Sequence, residues 1–234
     1  MTQALEEIPE FAIRVLDHGY VHLLASNASD LDVVNAARAS FNSRQSKMDQ
    51  RGEGLVNFLM RERHGTPFEH NFFKFEIRAP IVVNREWFRH RIGSFNEESG
   101  RYSEINPVFY SPRTRVRTQV GKPGAYKFER VSASKDDHWS SAIEEANTSA
   151  YLLYRAMLDD GVAKEVARLV LPLSTYSTFV WSVNARSIMN FLSLRNDPNA
   201  MEEIREFAKA VEIYFTREMP VTARCFNENG RCAP

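Results

Sequence analysis

Residues 71–103 constrain the fold more than any other stretch, because three kinds of local structure follow one another there without a linker. Phe73, Phe75 and Ile77 alternate with Phe72, Lys74, Glu76 and Arg78 across Asn71 to Ala79. A period of two with one apolar face predicts a half-buried strand of an antiparallel sheet. Pro80 then opens a helix through Phe88: proline suits a first turn, and Ile81, Val82, Trp87 and Phe88 recur at roughly helical spacing. Arg85 and Arg89 stand four apart and share a face. The helix exits into Arg89-His90-Arg91, where the dipole favours cations, and then into Asn96-Glu97-Glu98 and a Ser99-Gly100-Arg101-Tyr102 turn. Glycine lets backbone N–H groups approach an anion closely, and arginine grips a phosphate with two parallel bonds.

The rest of the chain adds elements of both types. Residues 11–25 predict two short strands around His18-Gly19. Ser29-Asp30 caps a helix from Leu31 to about Arg38, with Ser40 just beyond its end. A polar, basic loop over 43–52 precedes a helix from Gly54 to Arg63 that Gly65 closes. Thr66-Pro67-Phe68-Glu69 suits a helix start or turn. Arg113, Arg115 and Arg117 alternate like one face of an exposed strand, a basic edge that as a set suits a polyanionic cofactor. A long helix runs from Ser134 to about Asp160 with Trp139, Ile143, Ala146, Ala150, Leu153, Tyr154 and Met157 on one stripe, and Gly161 ends it. A further helix covers Val162 to Leu171 before Pro172, and Thr175 to Val183 has strand-favouring residues, with a buried helix as the alternative. Asn184 caps a helix from Ala185 to Arg195 whose two amides and two arginines need partners, which suggests a ligand. Pro198 starts a last helix to about Met219, and the tail from Phe226 reads as loose.

Composition removes several classes. Thirty basic and thirty acidic residues give no whole-chain attraction to nucleic acid or anionic membrane, so any anion site is a local cluster of arginines. Cys225 and Cys232 form no Cys-x-x-Cys, so neither a zinc nor a redox site is expected, and reduced thiols fit a cytoplasmic chain. His64, His70 and His90 lack metal-site spacing. No secretory signal and no run long enough to span a bilayer stand out. Neither a Gly-x-Gly-x-x-Gly after a strand nor a P-loop is present, so no Rossmann unit is indicated. With no repeat, linker or boundary, residues 1–234 read as a single catalytic domain.

Arg89-His90-Arg91, the seven residues Ile92 to Glu98, and Ser99 match the Arg-His-Arg-seven-Ser motif of flavin-dependent thymidylate synthases, and Gly100-Arg101-Tyr102 continue it. Ala-Arg-Ala-Ser-Phe, His-Gly-Thr-Pro-Phe-Glu-His and Asn-Ala-Arg-Ser fall in the family's order, so the chain resembles that family over nearly its whole length. The resemblance implies an α+β homotetramer with active sites shared between subunits. It implies FAD as cofactor, NADPH and 5,10-methylenetetrahydrofolate as co-substrates, and conversion of dUMP to dTMP. By position, Glu86, Trp87, Phe88, Arg89, Glu97, Glu98, Ser99, Gly100, Arg101, Arg168 and Arg195 would serve the nucleotide. Ser40, His64, Thr66, Arg89, His90, Arg91, Glu97, Asn184, Arg186 and Asn190 would line the flavin. Arg195 matches the arginine that favours the N3-ionised uracil, as a cation beside an acid does.

Two features qualify that carry-over. Some family members have Gln where this chain has Glu86, and a carboxylate beside a phosphate repels it, so Glu86 must face the base or pair with an arginine. Ser99 lacks an obvious general base and reads as a ligand rather than a nucleophile. The nearest alternative is C5-methylation of UMP by a relative in nucleoside-antibiotic biosynthesis. A remoter one is a non-catalytic nucleic-acid-binding module, which the zero net charge opposes. A metal hydrolase built on the histidines is a distant third.

Overall fold

The computed structural model describes residues 8–122 and 125–234. They form two compact units: one takes the residues up to Ala79, Val83–Glu97 and Thr178–Pro234, the other Pro80–Val82 and Glu98–Ser177. Seven strands occur among the described residues: β1 (Ile13–Val15), β2 (Gly19–Ser26), β3 (Phe73–Pro80), β4 (Ser94–Glu97), β5 (Arg117–Val120), β6 (Lys127–Arg130) and β7 (Tyr176–Val183). Five make one sheet in the order β1-β2-β3-β7-β4, and β5 and β6 make a separate hairpin. The antiparallel sheet and α+β class follow the sequence reading, as do the two strands flanking His18-Gly19.

In the first unit the alternation in β3 translates directly into burial: Phe73, Phe75 and Ile77 are all fully buried. Its other face is not uniformly wet, since Arg78 is also buried. Helix α1 (Asp30–Arg38) starts where Ser29 Oγ accepts from Asp32 N, as expected. Helix α2 (Gln50–Arg61) begins earlier than Gly54, because Asp49 Oδ1 accepts from Gly52 N at 2.8 Å and caps it. Its end corrects a second expectation. Arg63, not Gly65, takes the left-handed turn at φ 58°, with His64 N donating to Leu59 O and Arg63 N to Met60 O. Gly65 answers a different need, because a Cβ there would lie 2.5 Å from Arg186 Nε.

Helix α3 (Ile81–Trp87) leaves β3 as predicted, and its buried end is the centre of the core. The Trp87 indole stacks on Phe191 at 4.6 Å and meets Trp181 edge-on at 5.4 Å. In the second unit α4 (Ala133–Asp159) ends at Gly161, where φ is +82°. Its buried residues are Ser140, Asn147 and Tyr154, whereas Trp139 and Leu153 of the expected stripe are 53% and 52% exposed. The helix buries the Ser140, Asn147 and Tyr154 line, and of the expected stripe only Tyr154 is buried. Helix α5 (Lys164–Ala167) and a 3-10 turn over Arg168–Val170 replace the longer helix expected there, because Val162 N is used in closing α4. The alternating arginines are not one strand: Asp136 accepts from Thr114 N and Val116 N, which bends the chain, and only Arg117 enters β5. Arg113 is paired with Asp137 and Glu144.

Back in the first unit, helix α6 (Ala185–Arg195) is capped by Asn184, whose Oδ1 accepts from Ser187 N at 2.9 Å. Helix α7 (Glu202–Glu218) starts later than Pro198, because Asp197 holds Asn199 N and Ala200 N in a turn. Its Ile204, Phe207, Ala208, Val211 and Phe215 are fully buried, as the spacing predicts. Helix α8 (Pro220–Glu228) takes in only Phe226 to Glu228 of the tail that reads as loose, and residues 229–234 are turn and irregular chain. Asp30 caps the helix from far away in sequence, accepting from Val221 N, Thr222 N and Thr222 Oγ.

Candidate active site

The first unit contains a cavity of about 590 Å³ whose lining includes Arg89, His90, Arg91, Arg186, Asn190 and Arg195. Two segments distant in sequence supply them. Arg89 to Arg91 follow the exit of α3, and Arg186, Asn190 and Arg195 descend one side of α6 at spacings of four and five. Gly93 lets the exit loop pass close to β7, since a Cβ there would be 2.8 Å from Trp181 Nε1.

Arg195 ties these segments together. Its Nε donates to His90 Nε2 at 3.0 Å, its Nη1 to Glu86 Oε2 at 2.9 Å and its Nη2 to Glu86 O at 3.2 Å. A guanidinium has five N–H donors, so one on each Nη stays available. Glu86 therefore pairs with an arginine, one of the two arrangements the sequence allowed. Accepting from Arg195 also requires His90 to be neutral at Nε2. Burial and the neighbouring Arg195 cation both push its pKa down, to about 4.

The other arginines differ in their commitments. Arg186 donates to Glu69 and, at 2.6 Å, to Pro234 O. Arg89 and Arg91 have no ion-pair partner among the described residues. Four guanidinium groups face Glu69 and Glu86, leaving an excess of two positive charges carried by Arg89 and Arg91. A diphosphate suits that donor set, so the cavity fits the charged part of a dinucleotide cofactor. Glu69 was visible inside the His-Gly-Thr-Pro-Phe-Glu-His segment, but nothing in the sequence signalled that Ala233 and Pro234 would line this cavity.

Ser40, His64 and Thr66 come together at a second pocket of about 290 Å³ in the same unit. The structure puts Trp87 elsewhere than the sequence reading: its side chain is fully buried in the core and does not face the cavity. Phe88 packs edge-on against Phe95 and Phe179. Asn184 has its Oδ1 engaged in the α6 cap, and Glu97 Oε1 accepts from Asn84 Nδ2.

In the second unit, Ser99, Gly100 and Arg101 form the expected turn, with Tyr102 N donating to Ser99 O at 3.0 Å and Glu98 leading into it. Arg168 lies over Gly100, where a Cβ would be 3.3 Å from its Cδ and 2.7 Å from Ile105 Cδ1. Arg101 pairs with Glu165, and Lys164 Nζ donates to Tyr102 O. The small residue at Gly100 leaves Arg168 and Ile105 close against the turn, an arrangement in which backbone N–H groups stay open to an anion.

These features define an α+β protein with an arginine-rich site suited to an anion, and no Rossmann unit occurs among the described residues. Residues 22–221 match the family described as thymidylate synthase complementing protein. The chain is 46% identical over 228 residues to the flavin-dependent thymidylate synthase of Streptomyces coelicolor, covering 92% of this chain and 93% of that one. It is 45% identical over 226 residues to that of Tropheryma whipplei, covering 92% and 94%. Crystal structures of the UMP/dUMP methylase PolB from Streptomyces cacaoi superpose well. The form bound with 5-Br UMP has a TM-score of 0.85 at 42% identity, covering 92% of this chain and 96% of that one. The form bound with 5-Br dUMP has 0.87 at 41%, covering 95% and 100%. The chain belongs to the flavin-dependent thymidylate synthase family. It is accordingly an enzyme with a flavin cofactor. Among the described residues no helix is long and apolar enough to cross a membrane.

The His90 environment predicts a pH effect. An unfolded histidine takes its proton near 6.5 and the folded one only near 4, so the unfolded state binds more protons between those values. Stability therefore falls as pH drops below about 6.5, by about 2 kcal/mol at pH ~5, and this contribution stops changing below about 4. Urea unfolding at neutral and mildly acidic pH should show His90→Gln losing about 2 kcal/mol less than wild type. Equal losses would mean His90 is not held neutral.

Proposed function

We infer that this enzyme converts dUMP to dTMP, taking the one-carbon unit from 5,10-methylenetetrahydrofolate and the reducing equivalents from NADPH through FAD. The net reaction consumes dUMP, methylenetetrahydrofolate, NADPH and a proton and yields dTMP, tetrahydrofolate and NADP⁺. When bound, the flavin supplies the hydride chemistry, and the chain supplies binding and electrostatics. The observation that carries this reading is the Arg195 guanidinium, held on three sides by Glu86 and His90 with one donor on each Nη still free.

In this reading Arg89, His90, Arg91, Arg186 and Asn190 hold the flavin, with Arg89 and Arg91 on its diphosphate. Ser40, His64, Thr66, Glu97 and Asn184 complete its surroundings. Ser99, Gly100, Arg101 and Arg168 bind the nucleotide phosphate, with Glu98 beside them. Arg195 presents its spare N–H groups to the pyrimidine and favours loss of the N3 proton. Glu86 orients that guanidinium rather than facing the phosphate. Neutral His90 fixes Arg195 Nε without adding a competing charge. Cys225 does not enter this scheme: it is buried, and burial pushes its thiol up to about 11, so almost no thiolate exists there at neutral pH.

The likeness to PolB favours a second reading, in which UMP is methylated as well. The purified protein should show a bound-flavin absorbance spectrum that NADPH bleaches, and should turn over dUMP in preference to UMP. Preference for UMP would select the second reading, and a colourless protein with no affinity for FAD would defeat both.

We also propose a homotetramer with shared active sites. The uncovered face of α4, with Trp139, Ile143 and Leu153 exposed, supports an assembly surface. Sedimentation should give a four-copy species that Leu153→Glu breaks down; a wild-type monomer would contradict the assembly.

A further inference from the structure

Asn84 lies within α3 with 1% of its surface exposed, a place where an apolar residue would ordinarily stand. Its Nδ2 donates to Glu97 Oε1 at 2.9 Å. An ionised carboxylate only accepts, so the amide must turn its NH₂ toward Glu97. That leaves Oδ1 buried, with no hydrogen-bond partner among the described residues. An orphaned buried acceptor is costly, and an apolar side chain of similar shape removes the cost. A polar residue kept against the local rule points to what it holds. What it holds is the last residue of β4, an edge strand whose final cross-strand pair is Glu97 with Phe179. Glu97 is exposed, and its bond to Asn84 is the contact that fixes its carboxylate.

We propose that Asn84 is a positioning residue that pre-orients the Glu97 carboxylate for the flavin; this rests on the reading of Glu97 as a flavin ligand. A carboxylate that is already ordered loses less side-chain freedom when the ligand arrives. Replacing Asn84 by Asp changes the interaction in kind. Two carboxyl groups at hydrogen-bond distance share a proton at low pH and repel once both ionise.

The test uses the full chain freed of flavin, as wild type, Asn84→Leu, Asn84→Asp and Glu97→Gln. FAD is titrated by fluorescence quenching from mildly acidic to mildly alkaline pH, with melting temperatures measured alongside. Asn84→Leu should melt no lower than wild type yet bind FAD roughly tenfold more weakly. Asn84→Asp should bind well in acid and lose affinity as pH rises, a dependence that wild type lacks. Should Asn84→Leu not fold, the pH dependence of Asn84→Asp decides alone. Wild-type affinity in Asn84→Leu and a flat profile in Asn84→Asp, with Glu97→Gln weakened, overturns the role of Asn84 and leaves Glu97 as a ligand. Wild-type affinity in Glu97→Gln overturns the assignment of Glu97, and the role of Asn84 with it.

Discussion

The contact between Arg195 and the exit of α3 decides what the rest of the first unit can do. One guanidinium at the end of α6 reaches both a carboxylate and a neutral imidazole on the other segment. Each partner depends on the others. Glu86 would be an unwelcome anion in an anion site without Arg195, and His90 accepts from Arg195 only because it stays unprotonated. The outcome is a cation whose direction is fixed and whose charge is partly balanced. Arg89 and Arg91 carry the uncompensated positive charge of the cavity. A site built this way separates two tasks: paired arginines orient, and unpaired ones attract.

Features set by local chemistry were legible in the sequence, and those set by distant partners were not. Ser29, Asn184 and Gly161 do what their types and positions predict, because capping involves only neighbouring backbone groups. The alternation in β3 and the stripe of α7 were equally direct. Helix α8 was missed because its cap, Asp30, belongs to the start of α1. Gly65 was assigned the wrong reason, since what excludes a side chain there is Arg186, far along the chain. The α4 stripe illustrates another limit: periodicity identifies an apolar face but not what covers it.

The site followed the same division. Arg89, His90, Arg91, Arg186 and Asn190, assigned to the flavin by the resemblance, share one cavity with Arg195, assigned to the nucleotide. Ser99, Gly100 and Arg101 share one turn of the second unit, and Arg168 lies over its glycine from a separate 3-10 turn. Trp87 was the misleading member, because its position beside Glu86 and Phe88 in sequence says nothing about which way an indole points from a helix. Glu69 and Asn84 were overlooked as individuals, although both lie within segments already recognised. Each matters through a partner, Arg186 and Glu97 respectively, and pairing across such distances is invisible in one sequence.

The role given to Arg195 makes a direct statement about the bound nucleotide: its N3 proton should leave more easily than in solution. Ultraviolet difference titration of dUMP on the enzyme measures this, because ionisation at N3 changes the absorbance of the base. The account predicts a bound N3 pKa at least about one unit below that of free dUMP, returning to or above the free value in Arg195→Ala. A bound value equal to the free one, and unmoved by that substitution, would contradict it.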